Sequence, residues 1–78
     1  MPINLEARDP LENPAEGDLW HEGSGFAEMI HTVTMVGPTH IWYLYDGGKP
    51  RCVWRRWFRD YCERNCRFVG NRGLEIPI

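Results

Sequence analysis

The chain has 78 residues, 42% of them apolar and 13% aromatic, with a formal net charge of −2. That length bounds it to one small domain, which buries only about 60% of its unfolded-chain surface and leaves little room for a substrate pocket. No apolar run approaches the roughly 20 residues of a membrane span, the opening MPINLEARDP is polar and acidic rather than a secretory leader, and three cysteines are an odd number; reduced thiols in the cytoplasm are expected, with no membrane partner.

The small net charge hides an asymmetry. Residues 1–28 carry seven acids and one base, a local charge of −6, whereas residues 49–72 carry eight bases and two acids, a local charge of +6. Such halves either neutralise each other within the fold or between subunits, or steer a charged partner.

Residues 1–16 contain Pro2, Pro10 and Pro14 among ionised side chains, and this aperiodic, acidic composition predicts a flexible arm in which Ile3, Leu5 or Leu11 is available to dock. The ordered domain is predicted over 17–70, followed by a polar tail over 71–78. Gly17 to Glu22 predicts a first strand with Asp18 and Trp20 on one face and Leu19 and His21 on the other. Gly23-Ser24-Gly25 is a turn signal. Phe26 to Val36 is rich in β-formers, but Ile30 and Val33, both expected in the core, are out of phase, which predicts a bulge near His31-Thr32.

After Gly37-Pro38, His40 to Tyr45 predicts a third strand with Ile41, Tyr43 and Tyr45 on one face and His40, Trp42 and Leu44 on the other. Asp46-Gly47-Gly48 is a hairpin signal, with a fourth strand expected over Arg51 to Trp54. There the period changes. Trp54, Trp57, Phe58, Tyr61, Cys62 and Asn65 mark one helical face, with Arg55, Arg56, Arg59, Asp60, Glu63 and Arg64 opposite. Arg56–Asp60, Asp60–Arg64 and Arg59–Glu63 have ion-pair spacing, and Asn65 is a stop signal. Cys66 to Val69 predicts the last strand.

Four strands, a helix and a final strand predict a mainly β fold with one short helix: a small bent antiparallel barrel of the Src-homology-three-like kind. The alternative is an α+β arrangement, a three-stranded antiparallel sheet with the helix across one face. Both place Trp20, Ile30, Val33, Ile41, Tyr43, Val53, Phe58 and Tyr61 in or beside the core.

The order Gly17-Asp18-x-Trp20, a β-rich strand, Trp42-Tyr43 before Asp46-Gly47-Gly48, then Phe58-x-x-Tyr61 or Trp57-x-x-x-Tyr61, resembles many short proteins of tailed phages and prophages with Src-homology-three-like barrels. The resemblance covers about residues 17–69. It implies a small accessory protein that binds and inhibits or modulates a host protein, and it assigns no functional residue.

Four chemistries compete for the Arg51–Arg67 stretch. Cys52, Cys62 and Cys66 with His21, His31 or His40 would make a Cys3His zinc site, yet their spacing matches no ordinary zinc knuckle and a cysteine is commonly just a small buried side chain. Nucleophilic catalysis would need a thiolate, a base and an orienting group, and no local signature links them. Arg51, Arg55, Arg56, Arg59, Arg64 and Arg67 beside Trp54 and Trp57 would suit nucleic acid, but two acids interrupt the run and the pI is near 5.8. Protein binding fits best, because Trp, Tyr and Arg dominate interface hot spots. Trp42, Leu44, Arg55, Arg56, Trp57, Arg59 and Arg64 are the candidate contact residues. A host protein is the expected partner, self-association a second use of the same surface and nucleic acid the runner-up; neither an enzyme nor a cofactor is expected.

Overall fold

A computed structural model describes residues 8–23, 28–45 and 48–72. Its elements are β1 (Asp18–Glu22), β2 (Met29–Val36), β3 (His40–Tyr45), β4 (Lys49–Trp54), α1 (Arg55–Asn65) and β5 (Cys66–Asn71). The mainly β class with one helix between the fourth and fifth strands holds. All neighbours are antiparallel, in one sheet of order β4-β3-β2-β1-β5.

The sheet is not closed into a barrel. Strands β4 and β5 are its edges, and α1 joins them without a loop at either end. The 11 helical residues span about 16 Å at 1.5 Å per residue. Four inter-strand spacings put the edges of a flat sheet about 19 Å apart. A modest bend therefore lets the helix cross from one edge to the other, touching β3, β4 and β5. The alternative of a helix across a sheet describes this layering, with five strands in place of three.

The enclosed face holds Trp20, Val33, Ile41, Tyr43, Phe58 and Cys62, with Leu11, Val36, Tyr45, Val53, Cys66 and Phe68 packed against them. Ile30, expected in the core, and Trp54, expected on the apolar face of the helix, both lie outside the core. Ile30 is 46% exposed because His31 and Val33, not Ile30, face inward. The bulge lies at Thr34, where the β2–β3 register shifts, rather than at His31-Thr32; it brings Val36 back into phase with Val33. Trp54 is 61% exposed, since it caps the helix in extended conformation and so keeps the strand's alternation rather than the helix's period. The helix buries only Phe58 and Cys62. It ends where expected, with Asn65 Nδ2 donating to the Tyr61 carbonyl at 3.1 Å.

Residues 8–16, predicted as an arm, lie against this domain. Leu11 packs on the core. Arg8 forms a fork onto the buried Asp18 carboxylate, Nη2 to Oδ1 at 2.6 Å and Nη1 to Oδ2 at 3.0 Å. Asp18 also accepts from the Ala15 N–H at 2.9 Å and from Asn71 Nδ2 at 2.8 Å. Gly17 has φ +91°, and a Cβ there would sit 3.1 Å from Asn71 Oδ1, so glycine suits both the conformation and the space. The Gly17-Asp18-x-Trp20 sequence is thus a structural knot: a turn, an ionic hub and a core anchor.

Residues 1–7, 24–27, 46–47 and 73–78 lie outside the described residues, and with them the roles considered for Ile3 and Leu5, the Ser24-Gly25 turn, the Phe26 strand start and the Asp46-Gly47 hairpin. Among the described residues no helix is long and apolar enough to cross a membrane.

Candidate functional site

Two regions gather chemistry-bearing side chains: a polar corner of the core and an exposed aromatic ridge. The corner follows from alternation. Asp18, Trp20 and Glu22 share the inner face of β1, His31 shares that of β2, and Cys66 pairs opposite Glu22 at the start of β5. Helix α1 closes over them with Tyr61 and Cys62.

The resulting contacts are specific. His31 Nε2 lies 2.8 Å from Glu22 Oε1, and the Tyr61 hydroxyl donates to Glu22 Oε2 at 2.5 Å. One donor atom each from Glu22, His31 and Cys66 falls within 4.8 Å of the other two. The His31 ring stacks on Tyr45 at 5.9 Å and meets Tyr43 and Tyr61 edge-on. It is 3% exposed, and its Nδ1 is buried without a hydrogen-bond partner.

These contacts set the protonation balance. Burial pushes the Glu22 carboxyl up, but the bonds from Tyr61 and His31 outweigh it and hold its pKa below the ordinary value. The Cys66 sulfur, and then Glu22, hold the His31 pKa above the ordinary value against burial. The Cys62 thiol bonds to Cys66, drawing the Cys66 pKa down while its own is pushed up by the same bond and by burial. A thiol, an imidazole and a carboxylate in contact have the composition of a nucleophile, base and orienter. The nearly complete burial of His31, however, keeps its ring from a substrate.

The corner revises the expected cysteine set. Cys62 and Cys66 do meet, and His31 is the histidine that joins them. Cys52 does not: it is exposed on β4, opposite Trp42 on the outer face. His21 bonds Glu28 on that outer face, and His40 lies against Trp54 at 4.3 Å. Glu22 was missed as a member, although its shared phase with Trp20 was visible in the sequence.

The aromatic ridge runs from the outer sheet face onto α1. Met35 pairs beside Trp42, and His40 beside Trp54. Trp57, 42% exposed, stacks on Tyr61 at 5.0 Å with ring planes 11° apart. Trp54, Arg56, Trp57 and Asp60 line an open cleft.

The expected contact residues divide. Trp42 and Leu44 are half-buried within the outer face rather than fully exposed, since β2 and β4 flank them. Arg59 is engaged by Glu12 at 2.6 Å and by Asp60 and Glu63 at 3.4 Å. Arg55 donates to the Gly37 carbonyl at 3.1 Å, Arg67 reaches Glu28 at 3.1 Å, and Arg51 lies over the Tyr45 ring at 4.4 Å. Of the three expected helix pairs only Arg59–Glu63 forms, because Asp60 turns to Arg59. Among the described residues Arg56 and Arg64 therefore stand exposed without an ion pair, beside Trp57.

Comparison with known proteins finds no matching family model, no matching curated protein and no matching solved structure.

Proposed function

We propose that the chain is a non-enzymatic protein-binding module whose Trp54–Trp57 ridge receives an acidic partner protein. The observation that supports this reading is the exposure of Trp54 (61%) and Trp57 (42%) on either side of one cleft, with Arg56 at its wall. Covering both exposed portions removes roughly 150–250 Å² of indole from water, about 4–6 kcal/mol before association penalties. The unpaired Arg56 and Arg64 favour a partner with carboxylates around an apolar contact. The resemblance to phage and prophage accessory proteins makes a host defence or regulatory protein the kind of partner, bound and thereby inhibited or modulated in the host cytoplasm.

Nucleic acid is the weaker reading, because four of its six candidate arginines have intramolecular partners. A pull-down from a host lysate tests the proposal with wild type, W54A, W57A, R56E and a T34A surface control. The expected result is a nuclease-resistant protein retained by wild type and T34A and lost with W57A and R56E. Retention by a W54A/W57A double variant, or capture of nucleic acid alone with steep loss between about 50 and 200 mM salt, would contradict it.

A further inference from the structure

We propose that Glu22, His31 and Cys66 form a three-donor zinc site, walled in by side chains of α1, that ties β1, β2 and β5 together. This goes beyond the protein-binding reading, since it concerns the enclosed polar corner rather than the exposed ridge.

Geometry carries the inference. Tetrahedral zinc with bonds of about 2.0–2.3 Å holds its ligand atoms roughly 3.3–3.8 Å apart. The Glu22 and His31 atoms at 2.8 Å would open by about 0.5–1 Å, and the atoms within 4.8 Å would close by about 1 Å, which side-chain torsions absorb. The donors come from strands already paired, so little chain entropy is lost on binding. Cys62, fully buried beside Cys66 on α1, lies outside this set of three donors and closes the inner side of the site.

The surroundings supply two of the things a zinc ligand set needs, a supporting hydrogen bond on the carboxylate and a dry wall around the imidazole. Tyr61 fixes the outer oxygen of Glu22, the role that supporting hydrogen bonds play around a metal. Tyr43, Tyr45 and Tyr61 wall the His31 ring from three sides, excluding water. With Nε2 turned to the ion, the His31 proton resides on Nδ1, which has no acceptor among the described residues. Sulfur, imidazole and carboxylate in a tetrahedral set select zinc over magnesium or calcium, which take oxygen ligands.

The site differs from a redox dithiol, which would use the two sulfurs alone and leave Glu22 and His31 without a part. It also explains why the sequence spacing was uninformative: the three donors lie at 22, 31 and 66 and converge through strand pairing, not through a local knuckle.

The test uses the full chain purified without added metal, then titrated with zinc under a reductant, and with cobalt(II) as the spectroscopic probe. The expected outcome is one zinc per chain by elemental analysis, thiolate-to-cobalt charge-transfer absorption, and a melting temperature raised by zinc and lowered by a chelator. C66S should weaken zinc binding roughly 100-fold or more, and Y61F about 10–100-fold, while C52S on the outer face should leave it unchanged. C66S also removes a side chain packed against the core, so Y61F and the chelator-dependent melting of wild type provide readouts independent of its folding. Absence of stoichiometric zinc and of a chelator effect in wild type would overturn the site and leave a hydrogen-bonded core cluster; loss of binding in C52S with retention in C66S would overturn it equally.

Discussion

At the scale of single residues, Asp18 shows how a short polar signature can be entirely structural. Its carboxylate accepts from Arg8, Ala15 and Asn71 and is fully buried. Removing it strands the Arg8 guanidinium, whose side chain is only 13% exposed. Asp18→Ala is expected to destabilise by about 3–5 kcal/mol, read as a shift of the urea midpoint. Gly17→Ala should cost about 1–3 kcal/mol, since it combines a left-handed backbone with the close Asn71 side chain.

Glu28 gives a pH signature of opposite character, exposed and modest. The hydrogen bond from His21, then that from Arg67, holds its carboxyl below the ordinary value of 4.5. A folded-state pKa depressed below the unfolded one means stabilisation that is present above about pH 4.5 and lost as pH falls through the lower folded value. Glu28→Gln should therefore flatten the acid limb of the stability profile near about pH 4 and lower stability slightly at neutral pH, where the pairing is fully present, as thermal melts across that range would show.

The elements were legible wherever periodicity was local. The strand and helix order, the inward Ile41-Tyr43 phase and the end of α1 at Asn65 all follow from alternation and stop signals. Trp54 was misplaced because a helical period was extended one residue back into a cap that still belongs to β4. His31, a candidate ligand in the sequence, is not legible there as a core residue, because burying Ile30 calls for a bulge at His31-Thr32, whereas a histidine buried against Glu22 satisfies the same alternation without one until Thr34. Glu22 and Cys66 meet only through β1–β5 pairing, 44 positions apart in the sequence, so no local pattern could join them.

The helix should accordingly show two kinds of response. Phe58, 3% exposed, should lose about 3–5 kcal/mol on substitution by Ala. Trp57→Ala should stay within about 0.5–1 kcal/mol of wild type, losing its Tyr61 stack but little burial. Denaturant unfolding of the two variants separates a core residue from a surface reserved for contact.

Across the whole molecule, the charge asymmetry of the chain is partly neutralised internally. The acidic half meets the basic half at Glu12–Arg59 and Glu28–Arg67, and Glu22 meets Tyr61. Exposed pairs of this kind are worth about 0–1 kcal/mol each. Raising salt to about 1 M should therefore change the stability of the free protein little, whereas association with an acidic partner should slow markedly as its steering is screened. What this internal pairing leaves over is the ridge: Trp54 and Trp57 uncovered, with Arg56 and Arg64 unpaired beside them.

The most direct measurement is covalent surface footprinting of the tryptophans with and without the partner captured from a host lysate. The account predicts that Trp54 and Trp57 are modified readily in the free protein and protected in the complex, while Trp20, 3% exposed, stays unmodified in both. Unchanged modification of Trp54 and Trp57 in a saturated complex would contradict the ridge as the contact surface.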